Sequence, residues 1–457
     1  MTRISPARLV AYDVLRAVSG SDAYANLLLP TAISRAGLSG SDAGLATELT
    51  YGTLRRQGTY DAVIEMAADR SADQIKPEVL DALRLAVHQL FATRVATHAA
   101  VNESVELARS AGGPKAAGFA NAVLRRISAD DADAWIARLE DQSRSDDERL
   151  SVTSSHPVWI LRAMRRALKA EGREGELPDL LAADNDSPSV TLSALPGLAE
   201  IPADAESTPY SPIGFRHAGG APDPVVRGSG GRLRVQDEGS QLVALALAGL
   251  DVSGAGERWL DLCAGPGGKT ALLAARALEL GASLDANEIS PARAGLVRQA
   301  IAGVPLDVVV HEEDGRRYAA AHAEAYDRIL VDAPCTGLGA LRRRPEARWR
   351  KSPADVGDLV PLQTELLDGA LRALKPGGVV AYVTCSPHLA ETAGVVADVQ
   401  RTWGDAVEEL DARAALQQVS NAPLDLPAPA DGSGHAQLWP HRHGTDGMFL
   451  ALLRRRA

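Results

Sequence analysis

Up to about residue 150, apolar positions recur at three- and four-residue spacing. "PARLVAYDVLRAV", "GLATELTYGTLRRQGTYDAVIEMA", "KPEVLDALRLAVHQLFATR", "HAAVNESVELARSAG" and "FANAVLRRI" each carry a hydrophobic stripe along one helical face. Short Gly, Pro and Ser signals separate them. Nothing in this stretch alternates as a strand does, so residues 1–150 are predicted to form a compact helical bundle. The acidic "DDADAWIARLEDQSRSDDERL" reads as an outer helix or boundary with solvated charges.

From about 151 to 230 the pattern loosens. "SHPVWILRAMRRALKA" is a helix, followed by "SPSVTLSALPG" and a tract rich in Gly, Pro and Asp. This is read as a small mixed α/β module or an elaborated linker. From 231 onward, short apolar runs ("RWLDLC", "ASLDANEI", "DVVVHEED", "DRILVDAP", "VVAYVTCS") alternate with helical patterns such as "SPARAGLVRQAIAGV" and "LVPLQTELLDGALRALKPGG". That rhythm predicts a parallel sheet with helices on both faces. Ligands of such sheets lie at the carboxyl ends of the strands.

Length and charge then narrow the picture. A chain of 457 residues has room for two to four domains of about 100–200 residues each. No apolar run approaches the roughly 20 residues that span a bilayer, and the first 20 residues are amphipathic rather than a cleavable leader. A cytoplasmic protein with no membrane partner is expected, and a monomer. The net charge of -11 argues against a surface coated in nucleic acid but not against a local basic groove. "LRRRPEARWRK" is such a locality, with Arg342, Arg343, Arg344, Arg348, Arg350 and Lys351.

Candidate chemistry lies at the strand ends. "LDLCAGPGGKT" is a strand, a glycine turn and a helix start, where Gly265, Gly267 and Gly268 let backbone approach a ligand. It is neither a Walker loop nor a G-x-G-x-x-G dinucleotide loop. Glu288 ends the next strand, about 20 residues on, where an acid suits ribose hydroxyls. Asp314 ends the third, where it could accept from an adenine amino group. Loop, ribose acid and adenine acid on consecutive strands favour S-adenosylmethionine.

The three cysteines, Cys263, Cys335 and Cys385, form no disulfide framework and no zinc pattern. Cys335 follows the fourth predicted strand in "DAPC", and Cys385 ends the fifth in "VTCSP". Two thiols beside a methyl donor suit methylation at carbon 5 of cytosine. A thiolate adds to carbon 6, making carbon 5 nucleophilic, and must later be released. The arginines would favour a thiolate and hold RNA phosphates, and Asp332 could bond ring nitrogen 3 and the exocyclic amine. His435, His441 and His443 read as a surface or RNA-facing loop, and no metal site is expected.

At these residues the chain resembles RNA cytosine-5 methyltransferases of the Sun/nucleolar-protein type. "DLCAGPGGKT", "DAPCTG", "RRRPEARW", "LQTELLDGALRALKPGG", "VTCSP" and "HGTDGMF" carry the likeness over residues 231–457. "ELTYGTLRRQGTYD", "VNESVELA" and "FANAVLRRI" resemble the NusB-like RNA-binding bundle of the family's small-subunit rRNA branch, RsmB. The resemblance implies a Rossmann-like α/β methyltransferase domain (231–457) preceded by an all-α NusB-like bundle (1–150) and a small α/β linker module (151–230). It implies Cys385 as nucleophile and Cys335 as the aid to enzyme release. It places S-adenosylmethionine on Cys263, Ala264, Gly265, Pro266, Gly267, Gly268, Lys269, Glu288, Asp314 and Asp332. Glu288 departs from the aspartate more usual there. The implied partner is small-subunit ribosomal RNA. Methylation of tRNA or another RNA, and an RNA-binding antitermination-like factor, remain as alternatives. A DNA cytosine-5 enzyme would reverse the roles of the two cysteines and leave "VTCSP" unexplained.

Overall fold

The computed structural model describes residues 4–21, 23–252 and 256–456. Two compact units emerge: Met1–Arg162 with Leu341–Arg350, and Ala163–Ala340 with Lys351–Ala457. No described helix is long and apolar enough to cross a membrane.

The first unit is helical. Its helices are Pro6–Gly20, Ala25–Arg35, Gly40–Arg55, Gln57–Ala68, Pro77–Ala92, Thr97–Ile127, Ala132–Gln142 and Asp146–Ser154, and the sixth is broken at Gly113. Their apolar stripes meet in one core that includes Leu49, Ile64, Leu83, Leu85 and Leu107. Several buried polar groups inside it are paired. Arg84 bonds Asp61 at 2.6 Å and Asp81 at 2.9 Å, and Tyr60 Oη meets His88 Nδ1 at 2.9 Å.

The short segment Leu341–Arg350 completes this unit by sealing helix ends, whose last carbonyls lack intrahelical partners. Arg348 donates to the carbonyls of Arg55 (2.7 Å) and Ser155 (3.2 Å), at the ends of two helices. Arg350 donates to those of Val18 (2.6 Å), Ser21 and Ala23, around the end of the first. Glu346 accepts from Ala25 N–H (3.1 Å) at a helix start. Cations at carboxyl ends and an anion at an amino end also match the helix dipoles. Gly58 admits the segment: a Cβ there would stand 2.3 Å from the Trp349 ring.

The second unit holds two sheets. A small antiparallel one joins β1 (Thr191–Ala194), β2 (Gly214–Arg216) and β3 (Leu233–Val235) in the order β2-β1-β3. The larger one comprises β4 (Arg258–Asp261), β5 (Ser283–Asn287), β6 (Val309–His311), β7 (Tyr326–Asp332), β8 (Leu374–Thr384), β9 (Val407–Leu410), β10 (Ala436–Gln437) and β11 (Phe449–Arg455). Its order is β10-β11-β8-β7-β4-β5-β6, with β9 also on β11. Strands β4 to β8 run parallel, whereas β11 is antiparallel to β8, and β9 and β10 are antiparallel to β11. The sheet is therefore mixed, not wholly parallel as its strand–helix rhythm predicts.

Side chains alternate across it. Leu330, Val379, Ala381 and Val383 pack in one core, under helices Glu238–Ala248 and Gly268–Leu280. Ile329, Val331, Val380 and Tyr382 pack in the other, under helices Pro353–Ala373 and Ala393–Trp403. Strand β4 lies between β5 and β7, so chain order reverses there and a crevice opens at the strand ends.

Candidate active site

The loop after β4 opens this crevice. Gly267 has φ 104°, and a Cβ there would lie 2.8 Å from the Val297 backbone. A Cβ on Gly265 would lie 2.3 Å from the Glu288 carboxylate. Both positions exclude a side chain, and their N–H groups hold the loop itself, Gly265 on Glu288 and Gly267 on the Ala264 carbonyl. Asp261, 1% exposed, accepts from Thr270 Oγ1 at 2.7 Å through one oxygen, and its other oxygen has no protein partner. Burial pushes this carboxyl up to about 7, against the Thr270 hydrogen bond. The Asn287 side-chain oxygen, at the end of β5, is a second buried acceptor without a partner.

Glu288 accepts from Gly265 N–H and Ser290 N–H, both at 3.0 Å, with Arg293 at 3.5 Å. Asp314 caps helix Gly315–Ala321 through Arg316 N–H at 3.0 Å and pairs with the Arg316 guanidinium at 2.6 Å. That pairing holds its carboxyl below the usual range. As placed, the Asp314 carboxylate is taken by Arg316, so an adenine amino group would have to share or displace that pair. Cys263 sits in the loop itself, its thiol pushed up by burial and by Asp261, Asp332 and Glu288.

Across the switch point Lys269 Nζ meets Asp332 Oδ2 at 2.7 Å, joining the loop after β4 to the end of β7. Burial alone would lower the Lys269 ammonium, yet Asp332, Cys385 and Asp261 together hold it above its ordinary value. Beyond β7 and β8 the two cysteines converge, with sulfurs 3.5 Å apart. Contact with Cys385, burial and the Glu391 charge hold the Cys335 thiol well above its ordinary value. The surroundings are thus unequal: a cation beside Cys385, an anion beside Cys335.

The "HGTDGMF" segment supports this pair from one side. Gly339 N–H donates to the Cys385 carbonyl (2.8 Å), and Gly447 N–H donates to that of Gly339 (2.7 Å). A Cβ on Gly339 would come 2.0 Å from the Gly447 oxygen, so backbone meets backbone there. Asp446 N–H in turn donates to Asp237 at 3.0 Å.

The basic cluster departs from its expected role. Arg348 is fully buried and Arg342 nearly so, and Arg348 and Arg350 spend donors on helix-end carbonyls. Guanidinium nitrogens spent on helix-end carbonyls serve the helical unit, which is not the role the sequence suggests for these two. Arg344 is exposed, 5.8 Å over the Tyr24 ring. Arg343 is half-buried, and Lys351 pairs with Asp355 at 3.5 Å. The histidines also depart from the expected surface loop. His443 is buried and accepts from Trp439 N–H (2.9 Å), His441 meets Glu176 at 2.9 Å, and His435 is half-buried against Phe449.

Two site features were not anticipated. Ile289, beside Glu288, is 63% exposed, a large apolar surface next to the loop. Glu391, wholly buried, binds the residues that follow each cysteine. Its only sequence signal is an acid six positions after Cys385.

Two buried acceptors without protein partners, a glycine cradle and a ribose-spaced acid fit S-adenosylmethionine, which presents an ammonium, ribose hydroxyls and an adenine amino group as donors. The fold and site are those of an S-adenosylmethionine-dependent methyltransferase. Residues 250–454 match the family 16S rRNA methyltransferase RsmB/F, and residues 5–129 match the NusB family. Ribosomal RNA small subunit methyltransferase B of Pseudomonas putida is 32% identical, over 98% of both chains. A Mycobacterium tuberculosis (strain H37Rv) protein, Rv1407, described no further than as a methyltransferase, is 49% identical over 99% of this chain and 97% of its own. The solved structure of PH0851 shares the fold, with a TM-score of 0.80 at 22% identity, over 99% of this chain and 100% of that one. The chain belongs to the RsmB/F family of RNA cytosine-5 methyltransferases, with a NusB-like N-terminal domain.

Proposed function

We propose that this protein forms 5-methylcytosine in small-subunit (16S) ribosomal RNA through a covalent adduct on Cys385. Two sulfurs 3.5 Å apart at the ends of neighbouring strands, flanked by the Lys269–Asp332 pair, carry the chemistry. The choice of RNA is supported by likeness along the whole chain to enzymes named for the small ribosomal subunit.

S-adenosylmethionine supplies the methyl group as an electrophilic carbon on sulfur. The loop Cys263–Lys269, Glu288, Asp314 and Asp332 would hold it, with Asp261 and Asn287 as further acceptors. Cys385 adds its sulfur to carbon 6 of an unstacked cytosine, and the ring electrons move toward carbon 5 and nitrogen 3. Lys269 favours the Cys385 thiolate and the negative charge that develops toward nitrogen 3, while Asp332 accepts from the exocyclic amine. After carbon 5 has taken the methyl group, its proton passes to water. The carbon-6–sulfur electrons return to Cys385, and the Cys335 thiol, kept protonated, hydrogen-bonds the departing sulfur. The exposed Arg344 and the half-buried Arg343 are the members of the basic cluster best placed to meet RNA phosphates. The target base must be unstacked, which favours a loop or bulge.

The test is methyl transfer from labelled donor to undermodified 16S rRNA, with tRNA alongside. Label in 5-methylcytosine of 16S rRNA supports the proposal. Label confined to tRNA would redirect it.

A further inference from the structure

The residues after the two cysteines are tied to one buried acid. Glu391 ends the short turn Leu389–Glu391 and is 0% exposed. One carboxylate oxygen accepts from Thr336 N–H at 2.8 Å and Gln363 Nε2 at 3.2 Å. The other accepts from Ser386 Oγ at 2.7 Å and from Thr336 Oγ1. Gln363 also donates to the Pro334 carbonyl at 2.8 Å, and Tyr382 Oη donates to the Glu391 carbonyl at 2.7 Å. Thr336 follows Cys335, and Ser386 follows Cys385.

No lysine or arginine pairs with this carboxylate among the described residues. Four donors fill its acceptor sites instead. Backbone N–H, amide and two hydroxyls converge on a group that can only accept. The two loops also meet at Gly339 N–H, which donates to the Cys385 carbonyl at 2.8 Å, and at the Thr336 and Ser386 hydroxyls, 3.3 Å apart, but Glu391 takes donors from both at once. Glu391 itself touches neither sulfur by hydrogen bond.

We propose that Glu391 is a positioning residue that clamps the loops of Cys335 and Cys385 so that both thiols reach one cytosine. The proposal rests on the two-cysteine reading of the site given above. Without the clamp the loops drift, and a misplacement of about 1 Å costs on the order of a hundredfold in rate. Substrate and donor binding use other residues and are unaffected.

The deciding measurement needs no RNA. Dibromobimane loses one bromide to each of two thiolates and fluoresces when it bridges thiols a few Å apart. Peptide mapping of the full-length protein then identifies the bridged pair. In the wild type, Cys335 and Cys385 are expected to be bridged. Glu391→Ala should slow that bridging about tenfold while affinity for S-adenosylhomocysteine is retained. Glu391→Gln keeps the shape, and the hydroxyls can turn to accept from its amide, so bridging should recover. With an RNA that the wild type methylates, Glu391→Ala should lower kcat with KM for RNA and donor unchanged. Should Glu391→Ala fail to fold, the pair Thr336→Val with Ser386→Ala removes both hydroxyl donors and should also slow bridging. Wild-type bridging in Glu391→Ala, or in that double variant, overturns the clamp. Absence of methyl transfer to 16S rRNA in the wild type bears on the substrate instead, since the bridging arm is independent of it.

Discussion

The sulfur of Cys335 lies 3.5 Å from that of Cys385, and different charged groups neighbour the two thiols. Lys269 stands near Cys385, and Glu391 holds the loop of Cys335. At that distance both can serve one cytosine, and the proposed roles give Cys385 the attack and Cys335 the release. Cys385→Ala should abolish methyl transfer with donor affinity intact. Cys335→Ala should instead complete the first transfer and accumulate a protein–RNA adduct, visible as a band of reduced mobility in a denaturing gel. Steady turnover by Cys335→Ala with no such band would remove Cys335 from the release step.

In the proposed mechanism Lys269 favours the Cys385 thiolate. Lys269→Met keeps the length of the side chain but removes a positive neighbour from Asp332 and Cys385. Loss of one preorganised charge in a site costs about a hundred- to a thousandfold in turnover. The same change should slow alkylation of Cys385 by iodoacetamide at neutral pH, because the thiolate loses its stabiliser. Unchanged alkylation with lost turnover would confine Lys269 to holding Asp332.

Asp261 gives a pH signature in the absence of donor. Its carboxyl is raised from 3.8 to about 7 by burial. The folded protein therefore binds this proton more tightly than the unfolded chain. Stability from this group is intact below the unfolded value, falls as pH rises from about 4 to about 7, and stays low above that. Asp261→Asn removes the titration. The stability gap between pH 5 and pH 8, read from urea melts, should be shifted in favour of pH 8 in Asp261→Asn relative to the wild type. Equal gaps would mean that Asp261 is not strained by its burial.

Strand ends were legible in the sequence because buried parallel strands are continuous apolar runs ending in a chemically distinct residue. "DRILVDAP" became β7 with Asp332 at its last position, and "VVAYVTCS" became the end of β8 with Cys385 one residue beyond. The reversal of β11 was not legible, since "FLALLRR" has the same apolar character in either direction and only its pairing with β8 sets the sense. The small module before the larger sheet reads as mixed α/β or a linker without its three strands being resolved, since strands of three or four residues, such as β2, are too short to show a period. Glu391 could not be seen because its donors come from three separate stretches of chain, around 336, 363 and 386. The arginine cluster shows the limit most clearly. Composition registers five guanidinium groups near a cysteine, but not which way each one points.

That direction yields the last prediction. Arg348 is wholly buried and bonded to two helix-end carbonyls, whereas Arg344 is exposed. Arg348→Ala leaves the carbonyls of Arg55 and Ser155 short of a donor and opens a void. Loss of such buried bonds with the accompanying cavity should destabilise the helical unit by about 3 kcal/mol. The dependence of RNA affinity on salt should not change, because no phosphate contact has gone. Arg344→Ala should behave in the opposite way. Stability should hold, while the slope of log affinity against log salt should become shallower by about 1, the amount one phosphate contact contributes. Urea melts and binding titrations at several salt concentrations measure both quantities on the same preparations. If Arg348→Ala flattened the salt slope and left the melt unchanged, its guanidinium would belong to the RNA surface rather than to the helix ends. If Arg344→Ala left the slope as it was, the RNA path would have to be sought away from this segment.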